Sequence, residues 1–197
     1  MEKKLSDMTL EELWMLFPII LKEHNPQYYD WYEDEKNNII EAINGTFISR
    51  INHIGSSAVP GLIAKPTIDI LLELSGDCDI HQIILRLKAA GWTIMSSEFE
   101  PDLNLVFNKG YTPSGYAEKV YHLHVRYLGD WNELYFRDYL IEHLDIAAEY
   151  AELKVSLLKG FENNRDGYTE AKSEFILEHT KRARMCYVNR YTPNKTT

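Results

Sequence analysis

The chain has few cysteines and no long apolar run. Cys78 and Cys186 are the two cysteines among 197 residues, and their spacing matches neither a metal-binding motif nor a disulfide framework. A membrane-spanning helix needs about 18 consecutive apolar residues, and no stretch of the sequence approaches that length. The first residues also lack the apolar region of a secretory signal. We therefore expect a reduced, cytoplasmic protein without a membrane segment.

Basic residues are scarce relative to acidic ones. The sequence has 21 Lys and Arg against 30 Asp and Glu, a formal net charge of −9. Nucleic-acid binders present an excess of positive charge, so binding to bulk nucleic acid is not expected. Residues 50–68 differ from the rest, since they include two basic residues and no acidic one. This distribution indicates an acidic surface with a non-acidic pocket, suited to a small phosphorylated ligand.

The periodicity of apolar residues predicts an α+β fold, with a mixed β-sheet flanked by helices. Helices are predicted at residues 9–24, 28–43, 79–91, 133–158 and 169–187. Strands are predicted at residues 47–54, 67–74, 92–95, 103–107 and 120–128, with a loop at 109–119. We expect an N-terminal helical extension over residues 1–27 and one domain over residues 28–197.

A Gly-Ser-Ser turn begins at Gly55, between two predicted strands. A strand that leads into such a turn leaves backbone N–H groups unpaired where a helix begins, and these groups suit a phosphate. Gly55 would allow a ligand to approach the backbone closely, and Ser56 and Ser57 would add hydroxyl donors. The alternative is a plain turn.

Asp69 interrupts a strand that is otherwise apolar. A carboxylate in that position needs a partner, such as a metal ion, a base or a cluster of hydrogen-bond donors. The alternation of side chains along a strand places Asp69, Leu71 and Glu73 on one face. Lys65, just upstream, either neutralises a phosphate or pairs with Asp69, or it is an ordinary surface lysine.

Further candidates lie in the second half of the chain. His122 and His124 are two residues apart on a predicted strand, so both imidazoles point to one face and can meet one ligand or one metal ion. Arg137, near the start of a helix, either recognises an anion or belongs to an ordinary helix surface. Tyr168 and Lys172 are one helical turn apart, which places a phenol beside an ammonium group.

Together these motifs resemble the GrpB family, which belongs by fold to the nucleotidyltransferase superfamily. The resemblance extends from about residue 28 to about residue 183 and is most specific in the run from His53 to Leu62. It continues through residues 65–70, 122–125, 136–140, Tyr150, residues 153–154, Tyr168 and Lys172. It implies a nucleotidyltransferase-like mixed sheet with C-terminal helices, and a Gly-Ser turn that holds nucleotide phosphates. It also implies a pair of strand carboxylates that hold Mg²⁺ for nucleotidyl transfer.

The sequence departs from this pattern at one position. Asp69 matches the first carboxylate, but Leu71 stands where the superfamily has the second, which leaves Glu73 or Glu100 as substitutes. A single carboxylate holds Mg²⁺ weakly unless other ligands complete the shell. If the strands of Asp69 and His122 are neighbours, two histidines and one carboxylate would form a site suited to a transition metal. Alternatively, the histidines and Lys65 bind an anion directly.

Three functions are therefore compatible with the sequence. They are a nucleotidyltransferase-like enzyme, a non-catalytic nucleotide-binding module and a metal-dependent phosphoesterase. Each takes a nucleotide or another phosphorylated small molecule, and the enzymes would use Mg²⁺ or another divalent metal. The candidate catalytic and metal-binding residues are Asp69, His122 and His124. The candidate phosphate-binding or nucleotide-binding residues are Gly55, Ser56, Ser57, Lys65, Arg137, Tyr168 and Lys172.

Overall fold

A computed structural model describes residues 3–194 and contains a five-stranded mixed sheet with helices on its faces. The expected α+β fold is confirmed. The strands lie in the order β1-β2-β5-β4-β3, and β2 and β5 at the centre run parallel, whereas the other neighbours are antiparallel. Their bounds are Ile48–Ile54 (β1), Ile68–Leu74 (β2), Thr93–Glu98 (β3), Asn104–Thr112 (β4) and Gly115–Tyr127 (β5).

The described part of the chain also contains seven α-helices. They are Leu10–Leu16 (α1), Tyr28–Ile43 (α2), Ile80–Ala89 (α3), Asn132–Glu142 (α4), Leu144–Phe161 (α5), Arg165–Glu170 (α6) and Ser173–Cys186 (α7). Within residues 3–194, none of these helices has the length and apolar character needed to cross a lipid bilayer. The helix predicted at residues 28–43 is confirmed with both bounds, and Asn44 ends it in the left-handed conformation, with a φ of 66°.

The inner strand β2 has one face in each of two layers of the molecule. Ile68, Ile70 and Leu72 are fully buried in the main apolar core, which includes side chains of α2 and α3. Because side chains alternate along a strand, Asp69 and Leu71 face the opposite side, where Leu71 packs on α4. The predicted alternation is thus confirmed, and the polar residues of β2 face the C-terminal helices.

The first helix is shorter than the sequence predicts. The side chain of Thr9 caps α1 and Glu12 completes a capping box, but the helix ends at Leu16 and not near residue 24. Pro18 explains the difference, because proline disfavours helical conformation in the preceding residue and lacks an N–H. The chain then crosses the domain in extended form, where the Ile19 N–H donates to the Glu162 carbonyl at 2.8 Å.

The segment predicted as a loop at residues 109–119 is instead a β-hairpin, so this prediction is wrong. β4 continues to Thr112 and β5 begins at Gly115, with only Pro113 and Ser114 between them. The Thr112 hydroxyl donates to the Gly115 carbonyl at 2.8 Å and closes the turn. The Gly, Pro and Ser residues of this segment therefore mark the tip of a hairpin rather than an open loop.

The two long C-terminal helices predicted from the sequence are each divided. The segment at residues 133–158 breaks at His143, whose backbone leaves the helical region with φ −124° and ψ 84°. The polar link before the last helix forms α6, which the side chain of Asn164 caps by accepting from the Gly167 N–H at 2.9 Å. The helical assignment is confirmed, but the two breaks were not predicted.

The segment assigned to an N-terminal extension packs on the domain. Phe17 and Ile19 are buried, and the Tyr116 hydroxyl on β5 lies within hydrogen-bond distance of the Phe17 carbonyl, at 3.2 Å. Lys22 forms an isolated β-bridge with Ala64. Residues 1–2 and 195–197, which the sequence assigned to the extension and to the domain, lie outside the described residues.

Candidate functional site

Gly55 begins the turn after β1 and lies directly against Asp69. The antiparallel register pairs Ile54 of β1 with Asp69 of β2, so the turn starts beside the carboxylate. Gly55 has a φ of 70°, and a Cβ at this position would lie 2.5 Å from Asp69 Oδ2. A side chain is therefore excluded by both contact and backbone conformation. The sequence assigned this freedom to ligand approach, but the close neighbour in the structure is Asp69.

The two serines of the turn point to different partners. Ser57 is 2% exposed, and its hydroxyl lies 3.0 Å from His53 Nε2. The His53 ring stacks on Tyr32 of α2, with 4.9 Å between ring centroids. Burial lowers the pKa of His53 to about 4, so the imidazole that forms this hydrogen bond is neutral at pH 7. Ser57 thus fixes the turn to β1, and Ser56 is the serine that faces the C-terminal helices.

A chain of hydrogen bonds starts at the Asp69 carboxylate. The parallel register places His122 of β5 opposite Asp69, and His122 Nδ1 lies 3.1 Å from Asp69 Oδ1. Because a carboxylate only accepts, Nδ1 carries the proton and Nε2 accepts from the Tyr111 hydroxyl at 2.7 Å. Arg165 Nη2 in turn donates to the Tyr111 oxygen at 3.0 Å. The four side chains hold one another in fixed orientations.

The charges around Asp69 keep it ionised. Burial by itself would raise the pKa of Asp69, but the hydrogen bond with His122 and the charges of His122, His124 and Lys65, which are positive at the acidic pH where Asp69 titrates, outweigh it and hold the pKa at about 2. Asp69 is therefore a carboxylate throughout the physiological pH range.

His124 lies on the same sheet face as His122, opposite Leu71 in the register between β2 and β5. Burial lowers the pKa of His124, so its imidazole is neutral at pH 7. The strands of Asp69 and His122 are neighbours, which is the condition that the sequence analysis set for a site of one carboxylate and two histidines. Across residues 3–194, however, no group of three or more His, Cys, Asp or Glu side chains has an arrangement that would hold a metal ion.

Lys154 of α5 is a candidate site residue that the sequence analysis did not name. It is only 2% exposed, and its Nζ donates to the Ser56 hydroxyl at 3.2 Å. The same ammonium group also donates to the Ile63 carbonyl and lies 4.7 Å from the centroid of the Tyr150 ring. A buried cation thus contacts the hydroxyl of the Gly-Ser-Ser turn.

Lys65, Lys154 and Lys172 form what we call the lysine cluster. Burial, with the ammonium groups of Lys172 and Lys65, lowers the pKa of Lys154 to about 7. Burial and the charge of Lys65 lower the pKa of Lys172 to about 8. Burial and the nearby Arg165 also lower the pKa of Lys65. The effects of Lys65 and Lys172 on Lys154, and of Lys65 on Lys172, require these ammonium groups to lie close together.

Tyr168 contacts two members of this cluster. Its side chain is 1% exposed and its hydroxyl donates to the Lys154 carbonyl at 3.4 Å. The Lys172 ammonium lies over the Tyr168 ring, 4.4 Å from the centroid. The predicted pairing of this phenol and ammonium is confirmed, with the ring as the surface on which Lys172 rests.

Arg137 occupies a different part of the molecule. Its guanidinium donates to the Asp138 carboxylate at 2.7 Å, the His53 carbonyl at 2.9 Å and the Tyr191 hydroxyl at 2.9 Å. These contacts join α4 to β1 and to the C-terminal segment. The structure therefore does not bring Arg137 together with the lysine cluster.

Comparison with known proteins places the chain in a family. A family model described as "GrpB protein" matches residues 18–182. The chain belongs to the GrpB family. The glutamate-rich protein GrpB of Alkalihalophilus pseudofirmus is 35% identical to it over 164 residues, which cover 81% of this chain and 92% of the relative. The resemblance that the sequence motifs indicated is thus confirmed at the level of the family.

Two further relatives differ in how much of their own length matches this chain. The UPF0157 protein YqkA of Bacillus subtilis is 31% identical over 156 residues, which cover 78% of this chain but 43% of YqkA. The crystal structure of the conserved protein GrpB from Enterococcus faecalis is similar with a TM-score of 0.74 and 27% identity, and covers 85% of this chain and 99% of that one. The sheet and helices described above are therefore a fold shared with another GrpB protein.

The carboxylates of this GrpB-family chain do not fit a two-magnesium site. Leu71 is fully buried at the second carboxylate position. Glu73 is engaged by Arg50 at 2.5 and 2.7 Å and accepts from the Gly129 N–H at 3.1 Å. Glu100 is exposed in the connection between β3 and β4. One carboxylate, bonded to a histidine and close to the lysine cluster, is a poor ligand set for Mg²⁺.

The sequence does carry a signal for Lys154. Ala147, Tyr150 and Lys154 follow one another at helical spacing on the buried face of α5. A lysine on an apolar helix face needs a polar partner or an anion, and this need is the signal that the sequence contains. Tyr111 and Arg165 lie in segments assigned as a loop and a polar link, and their sequence contains no comparable signal.

Proposed function

We propose that this GrpB-family chain binds a phosphorylated small molecule, such as a nucleotide, with a phosphate against Ser56 and the lysine cluster. The observation that supports it is the hydrogen bond from the buried Lys154 ammonium to the Ser56 hydroxyl at the start of the Gly-Ser-Ser turn, with the charges of Lys65 and Lys172 close enough to lower the pKa of Lys154. Hydroxyl and ammonium donors are the groups that proteins use for phosphate oxygens.

The balance of charge supports the same proposal. Within residues 3–194, none of the ion pairs formed by side chains involves the lysine cluster or Arg165. Buried cations without a counter-ion are costly, and a bound anion removes that cost. The site therefore gains more from a phosphate than an ordinary lysine-rich surface would.

A second candidate function is transfer or hydrolysis at the bound phosphate. The observation that favours it is the hydrogen-bonded sequence of Asp69, His122 and Tyr111 beside the lysine cluster. A carboxylate that orients an imidazole is a common arrangement for a general base. This candidate predicts nucleotide turnover that His122→Asn abolishes while nucleotide affinity remains, and turnover unchanged in that variant would contradict it.

Calorimetric titration tests the binding proposal. ATP, GTP, CTP and UTP would be titrated into the protein with and without Mg²⁺, and at least one should bind with a Kd below 1 mM, on the order of the weakest affinities usually measured. Lys172→Met should weaken that binding at least about tenfold, because it removes a charge-assisted contact worth roughly 1.5 to 3 kcal/mol. Lys159→Met, at an exposed lysine of the same C-terminal region, is the matched control. Absence of binding by every nucleotide would contradict the proposal.

A further inference from the structure

We propose that the lysine cluster selects a terminal phosphate group over a phosphate diester, and that Lys154 takes up a proton from solution when this group binds. The inference rests on the proposed function and specifies the ionic form of the ligand. It follows from the geometry and charge of the cluster.

The three lysines come from three separate parts of the chain. Lys65 lies between the Gly-Ser-Ser turn and β2, Lys154 on α5, and Lys172 immediately before α7. Lys154 contacts the turn at Ser56, and Lys65 and Lys172 lie close enough to Lys154 to lower its pKa. A terminal phosphate presents three oxygens that can each accept from a separate ammonium group, whereas a diester presents two.

The charges of the site point to a ligand with more than one negative charge. Lys65, Lys172 and Arg165 lie near enough to Asp69 for their charges to interact with its carboxylate, which is already bonded to His122, and Lys154 lies beside Lys65 and Lys172. When every lysine is protonated, these groups have a surplus of three positive charges. A diester supplies one negative charge, and a terminal phosphate supplies about two at neutral pH. The terminal group therefore neutralises the site more completely.

The surroundings of Lys154 explain why it takes up a proton when the ligand binds. The groups that face its ammonium are the Ser56 hydroxyl, the Ile63 carbonyl, the Tyr150 ring and the ammonium groups of Lys65 and Lys172, with Asp69 and Arg165 around them. No carboxylate among the described residues forms an ion pair with Lys154. Burial and like charge lower its pKa to about 7, so at pH 8 the free protein holds it mostly neutral. A phosphate dianion beside it favours the charged form.

Two calorimetric measurements at pH 8 test the inference. The first compares ATP, ADP and AMP with cyclic AMP, which has the same base and sugar but only a diester. The tightest of the first three should bind at least about tenfold more tightly than cyclic AMP, since one charge-assisted contact more is worth roughly that factor. The second repeats the titration of the tightest ligand in two buffers with different ionisation enthalpies.

The buffer comparison should show uptake of about one to one and a half protons per ligand bound, because Lys154 is mostly neutral and Lys172 half neutral in the free protein at pH 8. Terminal phosphates have a pKa of about 6 and are fully ionised at pH 8, so these protons must bind to the protein. Lys154→Arg should bind the ligand with an uptake that is smaller by most of one proton, because an arginine is always charged, and the remainder belongs to Lys172. Lys159→Met should retain both the affinity and the uptake.

The outcomes separate this inference from the proposed function. Equal affinities for cyclic AMP and the tightest ligand would overturn the selectivity, and binding without proton uptake would overturn the role of Lys154. In both cases the binding of a phosphorylated ligand would stand. Failure of ATP, ADP, AMP and cyclic AMP to bind, together with the failure of GTP, CTP and UTP in the first titration, would overturn the proposed function and the inference together.

Discussion

Gly55 lies where a single added carbon would meet the Asp69 carboxylate. Gly55→Ala should lower the free energy of unfolding by about 1 to 3 kcal/mol more than Gly61→Ala, as measured by urea denaturation. Both glycines have left-handed backbones, with φ of 70° and 76°, but a Cβ at Gly61 has no atom within 4 Å. The difference between the variants therefore includes the contact with Asp69, together with any extra strain at Gly55, whose φ of 70° and ψ of −172° suit only glycine. Equal losses would show that backbone conformation alone requires Gly55.

The two serines of the turn have separable roles. Ser57→Ala should cost about 1 to 2 kcal/mol of stability, because it removes the buried partner of His53. Ser56→Ala should leave stability within about 0.5 kcal/mol and weaken nucleotide binding, because Ser56 lies beside Lys154. Thermal unfolding and calorimetric titration of both variants check this. The reverse pattern would contradict the assignment.

His53 makes the fold sensitive to acid. Its pKa is about 4 in the folded protein and about 6.5 when exposed, so the unfolded chain binds more protons between these values. The stability that His53 contributes is complete above pH 6.5 and should fall as the pH drops toward 4. Unfolding experiments at pH 7 and pH 4.5 should show a smaller loss for His53→Gln than for the unaltered protein. An equal loss would assign the acid sensitivity to other groups.

At the scale of the element, the sequence predicts where a helix or strand lies better than it predicts where that element ends. The apolar pattern and the stop at Asn44 define α2 completely, because the pattern lies within the helix and Asn44 directly follows its last residue. α1 was extended past Leu16 because its apolar spacing continues beyond Pro18, which ends the helix. The hairpin at Thr112 was missed because turn residues at its tip are also typical of an open loop.

The pair of Arg50 and Glu73 joins the outer strand β1 to β2 at the end of the sheet opposite the turn. Glu73 is fully buried, and Arg50 also donates to the Gly129 carbonyl at 2.7 Å. Arg50→Met should therefore cost about 3 to 5 kcal/mol, because it leaves a buried carboxylate without its partner. The double variant with Glu73→Leu should recover most of that loss. Chemical denaturation of the single and double variants measures both, and a double variant no more stable than Arg50→Met would contradict the explanation.

At the scale of the whole molecule, half of the site follows from the sequence. Asp69 and His122 were placed by alternation on strands, and the parallel register brings them together as that alternation allows. Arg137 could not be separated from them by sequence, because its contacts with Asp138 and Tyr191 depend on how the C-terminal segment folds back. The position of Lys154 at the turn could not be predicted, because it depends on which helix packs there. A local sequence pattern does not determine such long-range packing.

Ligand binding should stabilise the entire fold. A nucleotide at 100 times its Kd should raise the free energy of unfolding by about 2.7 kcal/mol, which corresponds to a rise in Tm of several degrees, roughly 5 to 10 °C. The rise should diminish as NaCl is added, because salt screens the lysine cluster. Lys172→Met should show a smaller rise, and Lys159→Met the full one. A rise independent of salt would place the ligand outside the cluster.

The distribution of the site along the chain has a consequence for synthesis on the ribosome. Gly55 and Asp69 belong to the first half of the chain, whereas Lys154, Arg165 and Lys172 belong to the last quarter. Chains fold progressively as they are made, and the parallel pairing of β2 with β5 already requires contacts between distant segments. In a nascent chain whose sheet has left the ribosome but whose α5 and α6 have not, the turn would lack Lys154 and Lys172. Capacity to bind a phosphate would then appear only after residue 172 has left the exit tunnel.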